Sequence, residues 1–455
     1  MKNLFKTTVA AICLGILAGG MVACEEDPTP PVVDPGSNNG TVVLSGSITS
    51  NTTLDASKSY LLKGFVYVVA PATLTIPAGT VIKGDQDSKA TLIVERGAKI
   101  IADGTESNPI VFTSNQPVGQ RNYGDWGGVI VLGKAPQNQA TTPIIEGGVD
   151  RPYGGTDAND NSGILRYVRI EYAGIALTTD NEINGLTLGA VGAGTIIDNV
   201  QVSYCGDDAF EFFGGTVNAK HLIAFRTWDD EFDTDLGYSG KIQFAVSLRD
   251  PAIADVSTSN GFESDNDGVG SATTIKTSAV FSNVSVFGHY RQIADTATAN
   301  SLVGRGAHIR RNTSISIFNT VITGYKEGIR LDGTSTQQNM TDGNLVLKNV
   351  TLAGNVRSLN TAGSANSSDF TAAFNAAGSN NTSVALADLQ LNANNFNLNA
   401  PNFLPQSNSP LIGSADFSHP KLGGGFFTTT NYRGAFGTID WTANWANFNP
   451  ANTVY

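Results

Sequence analysis

The chain reads as an all-β solenoid, a single-stranded parallel β-helix. Two observations predict it. Five stretches are variants of one strand: 165–170 (Leu-Arg-Tyr-Val-Arg-Ile), 197–202 (Ile-Asp-Asn-Val-Gln-Val), 281–286 (Phe-Ser-Asn-Val-Ser-Val), 317–322 (Ile-Phe-Asn-Thr-Val-Ile) and 347–352 (Leu-Lys-Asn-Val-Thr-Leu). An acidic turn also repeats, as Gly206-Asp207-Asp208-Ala209-Phe210-Glu211 and, 22 positions on, Trp228-Asp229-Asp230-Glu231-Phe232-Asp233. Self-similarity at a short period marks a solenoid, in which equivalent residues stack in rows. The 50 glycines and 15% charged residues fit short strands and tight turns.

The first 23 residues stand apart. Lys2 and Lys6 make a basic start, Val9 to Leu17 an apolar core too short to span a bilayer, and Met21-Val22-Ala23-Cys24 follows. That segment resembles the lipobox of bacterial lipoproteins, which implies cleavage before Cys24 and lipidation of it. Glu25, Glu26 and Asp27 resemble the surface-export signal of Bacteroidota lipoproteins, which implies an outer-membrane protein facing the cell exterior. Residues 24–40 form a Pro-rich tether that holds the body at the bilayer through the Cys24 anchor alone.

Removing Lys2 and Lys6 leaves 26 basic against 40 acidic residues, a net charge of −14. That balance argues against nucleic acid as a partner, which needs basic stripes. It suits divalent cations where the acids cluster. Of the three cysteines only Cys24 and Cys205 survive cleavage, so no intrachain disulfide is expected. Cys205 reads as a buried packing residue.

The β-helix is expected over 41–386, with Thr41 to Ser59 as first strand and N-terminal cap. Leu74 to Ile82 matches Leu92 to Ile100 in outline, 18 residues on, each an apolar triplet, a glycine turn and a second strand. Coils of roughly 24 residues would give about twelve of them at the ~4.8 Å strand spacing. The recurring Asn199, Asn283, Asn319 and Asn349 precede or sit within strands rather than in hairpin turns, and stacked Asn can bond its equivalents in neighbouring coils. One short helix is expected from Ser368 or Asp369 through Phe374. Residues 387–455, with Trp441, Trp445 and Phe448, read as a terminal coil and an aromatic plug over the last rung, because an open coil exposes a strand edge.

Leu74 to Gly84, Leu92 to Thr113 and Gly124-Asp125-Trp126-Gly127-Gly128, together with Leu165 to Asp267 and the Trp-rich end, resemble right-handed β-helix surface lipoproteins of the Bacteroidota, whose activity is unsettled. More distantly the coil pattern resembles the pectin-lyase-like superfamily. That resemblance implies a right-handed helix and polysaccharide as a ligand class; a surface protein is the other partner considered.

Aligning the turns puts Gly185-Leu186-Thr187, Ala209-Phe210-Glu211, Glu231-Phe232-Asp233 and Gly261-Phe262-Glu263 in register. Phe210, Phe232 and Phe262 then stack inward, and Glu211, Asp233 and Glu263 point outward, since adjacent strand residues face opposite sides. Carboxylates one coil apart sit roughly 5 Å from each other and must be protonated, neutralised or hydrogen-bonded. Three readings are open: a hydrogen-bonded turn ladder; Ca2+ held by Asp207, Asp229, Asp233, Asp235, Glu263, Asp265 and Asp267; or catalysis by Asp207, Asp208, Asp229 and Asp230. Gly206-Asp207-Asp208 resembles the Gly-Asp-Asp step of polygalacturonase-type glycosidases, but their Asn-Thr-Asp, Gly-His-Gly and Arg-Ile-Lys are missing here. Glu211, His308 and Arg310 are candidate ligand contacts. Arg305, Arg310, Arg311 and His308 could face the ladder about two coils later, although such a run reads first as a solvated strand face. The favoured function is a non-catalytic binding or scaffold β-helix; the alternative is a polysaccharide hydrolase or lyase.

Overall fold

The computed structural model describes residues 40–178, 181–288 and 299–455. The leader, Cys24 and the tether up to residue 39 lie outside the described residues. Twenty-seven strands join in one continuous sheet, wound as a right-handed parallel β-helix. They fall into three rows, one per side of the coil.

The first row stacks Ile76, Ala102, Leu165, Ile197, Ala219, Ile242, Phe281, Ile317 and Leu347. All five repeated strands are in it, in the register their sequences imply. Two further coils, at Ala219 and Ile242, lie between the second and third. They lack the Asn that marks four of the five others, with His221 and Phe244 in its place.

The second row runs through twelve rungs: Val42, Tyr60, Ile82, Phe112, Ile170, Val202, Ala224, Ser247, Val286, Ile322, Leu352 and Ser383. At the strand spacing this is a rod of roughly 50–55 Å. Thr41–Ile48 is its first rung and stacks parallel on Ser59–Val68.

The 18-residue match does not stack. Leu74 pairs with Ile100, 26 residues on, while Leu92 pairs with Val66 and Val129. A strand, glycine turn and strand occur at more than one corner of each coil. Self-similarity inside a coil therefore imitates a repeat between coils.

The corner between the first two rows explains the asparagines. Asn199, Asn283, Asn319 and Asn349 all have positive φ, between 47° and 61°. Asn tolerates this left-handed conformation better than most residues. Its amide then bonds along the rod: Asn349 Nδ2 donates to Asn319 Oδ1 at 2.8 Å. Tyr167, His221 and Phe244 hold the same corner in other coils, also at positive φ.

Two helices sit beside the late coils. α1 (Thr334–Thr341) was not legible, since Thr-Ser-Thr-Gln-Gln-Asn-Met-Thr has no apolar face; its buried Thr336 and Asn339 instead bond Asn312. α2 (Ser367–Phe374) is capped by Asn366 rather than by Ser368 or Asp369, whose backbone N–H groups instead donate to the Asn366 side chain. Phe370 and Phe374 of α2 enter the main core.

The aromatic C-terminal segment does not sit over the last rung. It runs back along the outside of the second row as a strap. Arg433 bonds Asn349, and then Tyr432, Thr428 and Asn447 give their carbonyls to Asn283, Gln243 and Gln201. Tyr455 ends on Glu171 and Lys83. The cause lies in the strands beneath. Ile223, Phe225, Val246, Leu248 and Phe287 point outward and are apolar, so this face needs cover on both sides. Phe403, Phe436 and Trp445 supply it.

Candidate functional site

The third row carries the acids. Inward, Leu186, Phe210, Phe232 and Phe262 stack in register, with Phe210–Phe232 and Phe232–Phe262 ring centroids 5.8 and 5.7 Å apart. Outward, the pairing runs Thr187, Glu211, Asp233, Glu263, His308, Arg330 and Asn360. An acidic stretch thus passes directly into a basic one. The basic run 305–311 belongs to the very next coil, not two coils on, and it is no solvated face: Arg310 pairs with Glu263 and with Asp265 at 2.8 Å, and Arg311 with Asp265 at 2.6 Å.

A second column lies at the preceding corner. Asp208 N donates to Asn184 Oδ1 at 3.3 Å, Asp230 N to Asp208 Oδ1 at 2.7 Å, and Asn260 N to Asp230 Oδ1. Asp208 and Asp230 are therefore rungs of a side-chain-to-backbone ladder. The sequence reading missed Asn184 and Asn260. Their signal was present: Asn184-Gly-Leu186, Asp208-Ala-Phe210, Asp230-Glu-Phe232 and Asn260-Gly-Phe262 share one spacing.

The carboxylates converge in three interlocking triads: Asp207, Asp208 and Asp229; Asp208, Glu211 and Asp233; Asp230, Asp233 and Glu263. Within each, one ligand atom per residue lies within 4.8 Å of the others. Two oxygens on opposite sides of a calcium ion, each at ~2.4 Å, are about that far apart. Glu211 is 5% exposed. Its Oε1 has no hydrogen-bond partner, and neither do Asp229 Oδ1 and Asp233 Oδ1. Buried charges left unpartnered are costly, so the donor set fits a hard cation.

Electrostatics agree with this. Burial, then repulsion from Asp208 and Asp229, pushes Asp207 well above the ordinary carboxylate range. Burial, then Asp233 and Asp208, does the same to Glu211. Burial, then Glu263 and Asp208, raises Asp233. Asp229 is pushed up to about 6, first by burial. Glu263 is the exception: burial raises it, but His308 and Arg310 outweigh that and hold it below its usual value.

The other predicted residues are not in the triads. Asp235 Oδ1 accepts from the backbone of Leu236, and Asp265 is taken by Arg310 and Arg311. Asp267 Oδ1 accepts from Val269 N and Ser271 N and so shapes a loop. Arg310 is committed to the acids. His308 stands 3.4 Å from Glu263 and 3.5 Å from Asp332, with neither ring nitrogen in hydrogen-bond geometry. Cys205 is fully buried and its Sγ faces the Asp208 carbonyl, as packing predicts. Behind the turn, buried Arg249 pairs with buried Glu231 at 2.7 Å and bonds the carbonyls of Thr227, Trp228 and Asp229. This clamp fixes the backbone that presents Asp229 and Asp230.

Residues 46–395 match the family described as "pectate-lyase like beta helix domain". The chain belongs to that family. No curated protein matches it. Among solved structures it is similar to the family 6 alginate lyase AlyGC, at 12% identity and TM-score 0.31, over 78% of this chain and 51% of that one. It thus spans about half the length of that relative. It is also similar to a mannuronic-acid-specific family 6 lyase from human gut microbiota, at 11% identity and TM-score 0.24, over 76% and 82% of the two chains. An alginate lyase of the same family in complex with a trisaccharide shows 11% identity, TM-score 0.26 and coverage of 79% and 85%.

Proposed function

We propose that this protein is a glycan-binding β-helix, non-catalytic, whose acidic ladder holds calcium and fixes the ligand-facing coils. The observation that carries this reading is the triad of Asp208, Glu211 and Asp233, where buried carboxylates converge and Glu211 Oε1 is left without a partner. The ion would neutralise charge that nothing else among the described residues around Glu211 balances. Membership of a pectate-lyase-like family supports a polysaccharide as the ligand. We further propose that the leader is cleaved before Cys24, that Cys24 is lipidated, and that the body is displayed on the outer membrane of a member of the Bacteroidota. The acidic Glu25-Glu26-Asp27 cluster supports that address.

A second reading is favoured by one observation. His308 stacks on Glu263, its two ring nitrogens facing the carboxylates of Glu263 and Asp332, beside Arg310. An imidazole set between two carboxylates next to a cation site suits proton abstraction from a sugar ring, and hence a lyase. A panel of polysaccharides decides between the two. Binding without release of reducing ends or unsaturated products supports the first reading. Turnover that is lost in His308→Ala, with the fold intact, replaces it with the second. Metabolic labelling with palmitate, compared with Cys24→Ala, tests the anchor.

A further inference from the structure

Beyond the acidic triads, the same row ends in a small polar cavity lined by Thr258, Gly304, Arg305, Lys326, Glu327 and Arg330. Its charges do not balance. Among the described residues, three cations face one carboxylate, and that carboxylate is already engaged. Arg330 grips Glu327 with Nε and Nη2, both at 2.7 Å, and Asn360 Nδ2 adds a third bond at 2.7 Å. Arg305 has only a distant share of that carboxylate. Its side chain is 14% exposed, its Nε lies 3.7 Å from Glu327 and has no hydrogen bond, and its one side-chain bond is a long 3.4 Å contact from Nη1 to Asn260 Oδ1. A buried guanidinium normally has a carboxylate or other anion in its fork, because leaving it unpaired forfeits its hydration. Burial and the like charge of Arg330 hold Arg305 below its usual pKa despite Glu327, Glu263 and Asp230 nearby, in keeping with a cation that lacks compensation.

We infer that this cavity is an anion-binding subsite. It takes one planar or tetrahedral oxyanion, a carboxylate or a sulfate ester, in the fork of Arg305, with exposed Lys326 closing over it from the rim. An anion there gives Arg305 the bidentate partner that Glu327 denies it. The inference rests on the glycan reading only for the identity of the carrier: on that reading the ligand is an acidic polysaccharide whose charged substituent enters the cavity, while its chain crosses the acidic ladder. The charge imbalance stands without that reading.

Inorganic sulfate tests the cavity by itself. Millimolar sulfate is expected to raise the melting temperature of the purified protein above a chloride control of equal ionic strength, and Arg305→Gln is expected to abolish the rise. Lys326→Ala, at an exposed position that does not affect folding, is expected to weaken it. A sulfated galactan, a polyuronate and a neutral glucan then identify the carrier. Preference for either charged glycan by roughly tenfold, lost in both variants, supports the subsite and names its substituent. Sulfate no better than chloride, or both variants behaving as the parent, overturns it. Sulfate binding without any glycan binding leaves the subsite standing and removes the glycan reading instead.

Discussion

Glu263 and His308 occupy the same position on consecutive coils, and there the outward column changes from acid to base. The Nδ1 to Oε2 separation is 3.4 Å. Glu211, Asp233 and Glu263 before this step repel one another; His308, Arg330 and Asn360 after it carry no negative charge. The prediction that follows most directly concerns the repelling side.

Calcium is expected to raise the melting temperature of the parent protein, and a chelator to lower it. Asp233 shares two of the three triads. Asp233→Asn is therefore expected to remove most of the calcium-dependent increment while changing the chelated protein little. Thermal scans with and without calcium check this. An unresponsive parent rules out the cation site.

The chelated protein has a predictable pH dependence. Burial, then Asp265, pushes Asp235 from 3.8 up to about 7. The folded state holds its proton more tightly than the unfolded chain. Stability from this group is thus complete below about pH 4 and is lost as pH rises towards 7. Asp229 acts in the same sense up to about 6. Urea midpoints in chelator are expected to be higher near pH 5 than near pH 8, and calcium is expected to narrow or reverse the difference.

The aromatic column holds the site from behind. Phe232 is fully buried and lies between Phe210 and Phe262, with Phe281 at 6.3 Å. Phe232→Ala is expected to cost about 3–5 kcal/mol through lost burial and a cavity. Phe232→Leu refills most of that volume and is expected to cost roughly half as much or less. Denaturant titration measures both.

Asn319 joins two features at once. Its φ is 47°, and its side chain donates to Ser282 Oγ and the Asp416 carbonyl while accepting from Asn349 Nδ2 and Asp416 N. Asn319→Ala is expected to cost about 2–4 kcal/mol, from strain and unsatisfied partners together. Asn319→Gly relieves the strain but not the lost bonds, and is expected to recover only part. Full recovery in the glycine variant shows that the bonds to the strap contribute little. Limited proteolysis of the strap in the same variants reports its release directly.

The sequence by itself determined the winding, because a solenoid repeats its chemistry once per coil. Asn199, Asn283, Asn319 and Asn349 announced a stacked asparagine row, and Phe210, Phe232 and Phe262 announced an inward stack. Their register then placed Glu211, Asp233 and Glu263 in one outward column. Where the repeat was degenerate the reading failed. Leu74 and Leu92 are similar because two corners of a coil obey the same turn chemistry, not because they stack. Ala219 and Ile242 are coils without the marker.

Only the tertiary structure decided which acids meet. Asp265 and Asp267 closely follow the ladder member Glu263 in sequence, yet arginines and loop amides take them. It also decided that the basic run docks on the next rung and that the aromatic tail covers a flank. The reason is physical. Stacking along the rod repeats and can be read as a period, whereas contacts between a loop or tail and the rod occur once and leave no period to read.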